Sequence, residues 1–432
     1  MLVAGMLTAL ASCSSASAPV TCSSSAMCAA SVPSNAGGSS ATLSAFTPPT
    51  DPGPGGVLFA ASGEALAFSG YGFPPATPDD AAFVDGWDVH FKRLLVTLDN
   101  ITLSNGPNAK PGDQSCVEPT VATLAGPWAV DLSHDDPSYL QGKGGPGEKA
   151  VPIAALAHQN YPAGNAAAFD TSGATPYAFG FDITAATGSA MNVNLDADGL
   201  ADYQTMINDG CAVLYVGTAT FQGTACTCPT ATSATQACDP ATYAGWPTVG
   251  QAVPFHLCFK SPTTYLNCQN PDNDPAKPLS GEEHQRGIFF KKDMSVIAQV
   301  TVHTDHPFWD SVLHDSPAHF DQFAARVAGQ GAAGVFPTAT VELTQPVDYT
   351  SYTDAMGHAL NWRYCIAPPT DVHAQLVGPM AFDAQSVPHA PGTDACAGLR
   401  NYSDFATYNQ STQGHLNSDG LCYVARHYPS PQ

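Results

Sequence analysis

Short segments of alternating or continuous apolar residues recur along the chain, separated by turn residues, and this pattern predicts β-strands. The longest segment covers residues 87–98 and is followed, after Asp99 and Asn100, by a second strand over residues 101–103. Further apolar segments of the strand type cover residues 212–217, 253–259, 296–303 and 338–343.

Helix signals are few. Residues 200–208 are predicted to form one helix, with Asp198 as its N-cap. A second helix is predicted to begin at Ser316 and Pro317 and to end near residue 327, because serine is favoured at the N-cap and proline in the first helical turn. The fold class that these patterns predict is mainly β: an antiparallel, sandwich-like body with a few short helices.

Composition agrees with a folded, turn-rich chain. Hydrophobic residues make up 44% of the 432 positions, so a core can form, whereas charged residues make up only 12%. The chain has 38 glycines and 37 prolines, which favours turn-rich β structure. Fourteen basic residues against 37 acidic residues give a net charge of −23, which argues against nucleic acid as a partner. The sequence has no GxGxxG followed by a helix, no P-loop and no HExxH zinc motif.

The N-terminal residues predict export. Residues 1–12 form an apolar run that is too short to span a bilayer, and we interpret it as a signal peptide. The sequence LASC at residues 10–13 resembles a bacterial lipobox, which implies cleavage of the apolar run and lipidation of Cys13. Ser14 resembles the residue found in lipoproteins that are sent on to the outer membrane. We therefore expect a lipid-anchored protein of the cell envelope; a secretory signal without lipid is the alternative.

The next segment predicts a tether. Residues 13–56 are rich in Ser, Ala, Pro, Gly and Thr, a composition that buries too little apolar surface to offset the entropy of ordering. We expect a low-complexity, disordered, lipid-anchored spacer over residues 13–56 and a β-rich body over residues 57–432. A division of the body near residue 250 is the alternative, because residues 245–254 have the composition of a connector.

Cysteine usage also fits export. The chain has 13 cysteines, and an even number remains once Cys13 is set aside, so disulfides are the expected state in an oxidising compartment. Cys258 and Cys268 are close enough in sequence to close a hairpin. Cys226 and Cys228 form a CxC pair, a spacing also seen in soft-metal sites. Because Cys211 and Cys238 lie nearby, we favour two disulfides among these four cysteines over a thiolate metal site.

Residues 300–321 carry the strongest chemical signal, because four of the fourteen histidines lie there among several aspartates. His303 is expected at the end of a strand and His306 on the following turn, a spacing that lets both imidazoles approach one cation. His319 is expected in the first turn of the second helix, where the helix dipole favours the neutral imidazole that ligates metals.

These patterns predict a transition-metal site. Imidazole and carboxylate ligands together suit Zn²⁺, Cu²⁺ or Fe, and we predict copper or zinc as the cofactor. His90, within the long strand, is a further candidate ligand from a distant part of the chain. The predicted metal ligands are His303, His306, His314, His319, Asp305 and His90.

The expected function is that of an exported outer-membrane lipoprotein that binds copper or zinc for capture, delivery or sensing. Its expected partners are the membrane, through the lipid anchor, and a cell-envelope protein or metal donor. One alternative is a metal-dependent hydrolase or oxidase, which three protein ligands and an open metal position would indicate. Another is a surface module that recognises glycans or a partner protein through Trp87, Trp128, Trp246 or the Tyr-rich loops, which requires an exposed aromatic patch.

Overall fold

β-Strands dominate the regular structure in the computed structural model, which confirms the prediction of a mainly β fold. The structure describes residues 42–77, 80–83, 85–105, 120–142, 146–158, 170–173, 176–223, 247–268, 288–309, 318–328, 339–343, 402–413 and 423–428. The strands are β1 (Ser44–Ala45), β2 (Val57–Ser62), β3 (Trp87–Asn105), β4 (Thr120–Leu124), β5 (Trp128–Asp131), β6 (Leu140–Gln141), β7 (Lys149–Leu156), β8 (Tyr177–Ile183), β9 (Met191–Asn192), β10 (Val213–Phe221), β11 (Ala252–Phe259), β12 (Thr263–Cys268), β13 (Val296–Thr301), β14 (Val341–Glu342) and β15 (Tyr423–Arg426). The helices are α1 (Leu66–Ser69), α2 (Ala197–Asp209), α3 (Asp321–Ala328) and α4 (Tyr402–Gln410), with a 3₁₀-helix at His306–Phe308.

The described strands form two sheets. The larger sheet has the order β1-β9-β5-β3-β10-β11-β14, with β4 and β8 also paired to β3, and with β12 joining β8 to β15. The smaller sheet has the order β13-β2-β7-β6. Most pairs are antiparallel, but β1–β9, β5–β9, β11–β14 and β2–β13 are parallel, so both sheets are mixed.

Strand β3 organises the larger sheet. It pairs with β10 along its first half and with β8 along its second half. The sequence pattern predicts two strands separated at Asp99 and Asn100, but the structure has one strand across both residues. Asn100 adopts a positive φ of 51°, and the pairing with β8 shifts register between Asp99 and Thr102. The turn-like residues therefore produce an irregularity within one strand.

The two sheets share one hydrophobic core, as expected for a sandwich-like body. Strand β2 is buried along all six residues, which is typical of a strand covered on both faces. The Phe59 ring of β2 lies 6.1 Å from the Phe179 ring of β8, across the space between the sheets. The apolar side chains of the smaller sheet thus pack directly on those of the larger one.

The described part of the segment assigned to the tether contacts the body. Ser44–Ala45 pairs in parallel with Met191–Asn192, and Phe46 packs against the core. No helix within the described stretches is both long and apolar enough to cross a membrane.

Helix α2 is N-capped by Asp196, and the prediction of Asp198 as the cap is wrong. Asp196 has extended backbone angles, and its carboxylate accepts a hydrogen bond from the Gly199 amide at 2.7 Å. Asp198 lies in the first turn of the helix. Gly210 ends the helix in a left-handed conformation with φ 75°, the usual role of glycine beyond a helix C-terminus.

Helix α3 begins at Asp321, later than predicted from the serine and proline at 316 and 317, which lie outside the described residues. Ala318 instead forms isolated β-bridges with Phe83 and Trp309. The buried Asp85 carboxylate accepts hydrogen bonds from the amides of Phe320 at 2.7 Å and of Asp321 at 2.8 Å. A side chain from a distant part of the chain therefore fixes the start of this helix, which a local pattern cannot reveal.

A buried ion pair ties α2 to the larger sheet. The Arg93 guanidinium donates to Asp131 at 2.9 Å and to both oxygens of Asp196 at 2.6 and 2.7 Å. The Arg93 side chain is 8% exposed and the Asp131 side chain is fully buried. Burial alone would lower the pKa of Arg93, but the hydrogen bonds and charges of these two aspartates outweigh it and raise the pKa.

A disulfide joins Cys211, which precedes β10, to Cys258 in β11. This bond excludes the Cys258–Cys268 disulfide that their spacing allows. It also shows that the expected pairing of Cys211 with one of Cys226, Cys228 and Cys238 is wrong. Among the described strands, β12 pairs with β8 and β15 rather than with β11, so Cys268 is not held across a hairpin from Cys258. Cys268 is also disulfide-bonded. The CxC pair at residues 226 and 228 lies outside the described residues.

Candidate metal centre

The parallel pairing of β2 and β13 places two distant segments at the same sheet edge. Ser62 pairs with Thr301 at the ends of these strands, and the Val302 amide donates to the Ser62 carbonyl at 2.9 Å. Because parallel strands end at the same edge, Glu64 and His303 leave the sheet side by side.

His303, Asp305 and His306 form a group that could hold a metal ion. One ligand atom from each residue lies within 4.8 Å of the others. His306 is fully buried and His303 is 7% exposed. Their imidazole rings are stacked, with centroids 4.7 Å apart and planes 13° from parallel. The two histidines lie close together, as the sequence spacing predicts. The 3₁₀-helix that starts at His306 supplies the turn after His303.

Glu64 orients the His303 ring. Its Oε1 atom lies 3.1 Å from His303 Nδ1. A carboxylate at this distance favours the tautomer that carries hydrogen on Nδ1, which leaves the lone pair on Nε2. The backbone of His303 is held as well, because its amide donates to Gln413 Oε1 at 2.7 Å and its carbonyl accepts from the Tyr215 hydroxyl at 3.1 Å.

The hydrogen bonds of Thr412 require His306 to have the same tautomer, with hydrogen on Nδ1. The Thr412 hydroxyl donates to the Asn409 carbonyl at 2.6 Å, so its single proton is already used. Thr412 Oγ1 also lies 2.9 Å from His306 Nδ1 and must accept there. His306 therefore carries hydrogen on Nδ1 and a lone pair on Nε2. The Nε2 atoms of both rings are buried.

Trp309 links the remaining candidate ligand to His306. Its indole N–H donates to Asp305 Oδ2 at 3.0 Å. Its ring lies 3.9 Å from the His306 ring, centroid to centroid, so the two side chains pack against each other. Trp309 thus restricts the carboxylate and the imidazole at once.

The electrostatic field at this edge is negative. Burial raises the pKa of Tyr71 and of Tyr215 well above the ordinary tyrosine value, and the charges of Asp305 and Glu64 raise it further. The Tyr71 hydroxyl shares a 2.6 Å hydrogen bond with Thr304 Oγ1. Both tyrosines therefore stay neutral at ordinary pH, and a cation would offset the charge of the two carboxylates.

The donor set fits a borderline transition metal. Two imidazoles and one carboxylate are typical ligands of Zn²⁺, Cu²⁺ and Fe. Metal–ligand distances of about 2.0–2.2 Å put tetrahedral ligand atoms about 3.4 Å apart, so binding would draw the three side chains of the group inward. The Glu64–His303 contact matches the carboxylate–histidine arrangement that supports metal ligands in proteins.

Of the other predicted ligands, His90 and His319 do not belong to this group. His314 lies outside the described residues. His90 is on the exposed part of β3, with 56% of its side chain exposed and its Nε2 atom 2.7 Å from Asp88 Oδ1. His319 precedes α3 rather than lying in its first turn.

His319 lies beside a buried carboxylate. Its Nδ1 atom is 3.7 Å from Asp85 Oδ2, and its amide donates to the Phe308 carbonyl at 2.9 Å. Burial raises the pKa of Asp85, although the charge of His319 and the amides of Asp321 and Phe320 act in the opposite direction. This pair is a separate feature that supports the start of α3.

Two of the tryptophans proposed for surface recognition, Trp87 and Trp128, are buried. Trp87 is fully buried and donates its indole N–H to Asp321 at 2.7 Å, and Trp128 is 3% exposed. They cannot form an exposed aromatic patch. Trp246 lies outside the described residues.

Sequence reasoning missed Glu64, Thr412 and Gln413. The only local signal for Glu64 is its position just after a continuous apolar strand, and α4 gives no hint that residues 412 and 413 approach the histidines. Comparisons with protein-family models, curated proteins and solved structures find no match for this chain.

Proposed function

We propose that this protein is an exported outer-membrane lipoprotein that binds a copper or zinc ion through His303, Asp305 and His306. Its role is to capture, deliver or sense the metal in the cell envelope. Cys13 is the proposed lipidated residue, and a cell-envelope protein or metal donor is the proposed partner.

One observation carries the metal proposal. The ligand atoms of the three residues lie within 4.8 Å of one another, and both histidines are buried while Asp305 is partly exposed. The contacts of Glu64 and Thr412 with the two Nδ1 atoms support this proposal. Each imidazole then carries its hydrogen on Nδ1 and its lone pair on Nε2, the atom that would bind the metal.

Metal analysis of the full-length protein tests the site. After exposure to Zn²⁺ or Cu²⁺ and removal of loosely bound ions, we expect about one ion per chain in the wild type. The double variant His303→Ala/His306→Ala should lose most of that metal. Asp305→Asn, which keeps the size of the side chain, should weaken binding without emptying the core.

His90→Ala is the matched control, because His90 is exposed and outside the group. It should retain the wild-type metal content. Circular dichroism checks that each variant is folded. Equal metal content in the wild type, the double variant and Asp305→Asn would refute the proposed site.

The lipid anchor is tested separately. In a bacterial host, the wild type should incorporate labelled palmitate and fractionate with the envelope membranes, whereas Cys13→Ser should do neither. The resemblance of residues 10–13 to a lipobox motivates this experiment. Absence of label from the wild type would refute lipidation without affecting the metal proposal.

A further inference from the structure

Glu64 has a backbone conformation that is unfavourable for its residue type. Its φ is +63°, in the left-handed region that glycine adopts without steric cost and glutamate does not. Its amide donates to Ser62 Oγ at 3.0 Å, which fixes the turn after β2. Strain of this kind is often found where a side chain has a functional task.

The side chain of Glu64 faces the metal centre. Its carboxylate lies 3.1 Å from His303 Nδ1, with 23% of the side chain exposed. Together with Asp305, it contributes to the raised pKa of the buried Tyr71 and Tyr215, so its charge acts within the centre. The centre therefore combines two carboxylates with two imidazoles.

This charge favours divalent ions over Cu⁺. Coulomb attraction to two carboxylates is larger for a charge of +2 than for +1. Cu⁺ also prefers thiolate and thioether ligands, whereas the described metal-binding group contains only nitrogen and oxygen donors.

We propose that Glu64 is a positioning residue that holds His303 in the Nδ1–H tautomer and makes the centre selective for divalent ions over Cu⁺. This inference rests on the proposed function, because it concerns the same metal centre.

Two substitutions separate the two effects of Glu64. Glu64→Gly removes the carboxylate and also relieves the left-handed strain, so this variant should be at least as resistant to unfolding as the wild type. Glu64→Gln keeps an oxygen that accepts from His303 Nδ1 but removes the charge. Glu342→Gln is the control, because Glu342 makes a similar contact, 3.2 Å to His256 Nδ1, elsewhere in the fold.

The experiment measures Zn²⁺ and Cu⁺ affinities of the full-length proteins by competition with chromogenic chelators, and the His303 tautomer by ¹⁵N NMR of histidine-labelled protein. In Glu64→Gly we expect Zn²⁺ affinity to fall about 10–100-fold, the usual effect of losing such a partner. Cu⁺ affinity should fall by a smaller factor, and the tautomer should become mixed. Glu64→Gln should keep the tautomer and lose part of the Zn²⁺ affinity, and Glu342→Gln should match the wild type.

Three outcomes distinguish the possibilities. Zn²⁺ affinity and tautomer unchanged in Glu64→Gly would overturn the role of Glu64 and leave the proposed function standing. Equal losses for Zn²⁺ and Cu⁺ would overturn the selectivity. If the wild type binds neither ion, the proposed function itself fails.

Discussion

Replacing Arg93 with methionine should severely destabilise the fold. Arg93 lies between Asp131, whose side chain is fully buried, and Asp196, whose side chain is half exposed. Without the guanidinium, Asp196 can be hydrated, but Asp131 remains a buried charge without its cation. Its remaining donors are the Leu94 amide at 3.2 Å and the amide and hydroxyl of Ser133 at 3.0 and 2.8 Å.

The size of the effect follows from this burial. Removing one partner of a buried ion pair costs about 3–5 kcal/mol, because the other charge stays in a medium of low polarity. The adjacent Lys92 provides a matched comparison. Its ammonium lies 3.6 Å from Asp198, and both side chains are exposed, at 59% and 74%. Lys92→Met should therefore change the free energy of unfolding by only about 0–1 kcal/mol.

The assay is urea unfolding at pH 7, followed by circular dichroism, of the wild type, Arg93→Met, Lys92→Met and the double variant Arg93→Met/Asp131→Asn. The double variant should recover part of the lost stability, because it also removes the buried charge of Asp131, which has no cation beside it in Arg93→Met. A loss below about 1 kcal/mol in Arg93→Met, similar to that in Lys92→Met, would refute the reasoning.

Three further predictions concern other features. Replacing Cys211 and Cys258 with alanine should lower the free energy of unfolding by about 2–4 kcal/mol, measured by urea unfolding without reductant, and an unchanged free energy would be inconsistent with this. Burial raises the pKa of Asp85, so the folded protein binds the proton of this carboxyl more tightly than the unfolded chain does. The stability that results is present below about pH 4, the pKa of an unfolded aspartate, and is lost as the pH rises through the folded pKa. Asp85→Asn, which stays uncharged, should lessen that decline in a pH series of unfolding measurements, and an identical pH profile would contradict this. Thr412→Val should weaken Zn²⁺ binding about 10–100-fold, because it removes the acceptor for His306 Nδ1; an unchanged dissociation constant would exclude this role.

Local sequence pattern is sufficient to predict some of the strands and the proximity of two histidines in the candidate metal centre. β11 and β13 were predicted nearly to their ends, because their apolar runs are bounded by turn residues. His303 and His306 could be grouped because three residues separate them. These features depend on neighbours in sequence, which periodicity reports directly.

Features that depend on distant parts of the chain could not be predicted in this way. Glu64 approaches His303 only because β2 and β13 pair in parallel, and α3 begins at Asp321 only because Asp85 accepts its first amides. The partner of Cys258 is likewise set by sheet order rather than by spacing along the chain. Contacts between distant parts of the chain, rather than the local sequence, determine each of these three features.

The candidate metal centre is assembled from three separate stretches of the chain, which has a consequence for the timing of its formation. The contacts join Glu64, His303, His306 and Thr412 across widely separated parts of the sequence, so a nascent chain cannot have the complete set of contacts until Thr412 has been synthesised. Contacts between segments so far apart in sequence form slowly, after more local structure. Ion uptake at this candidate centre would therefore be confined to chains that extend at least to Thr412 and have folded.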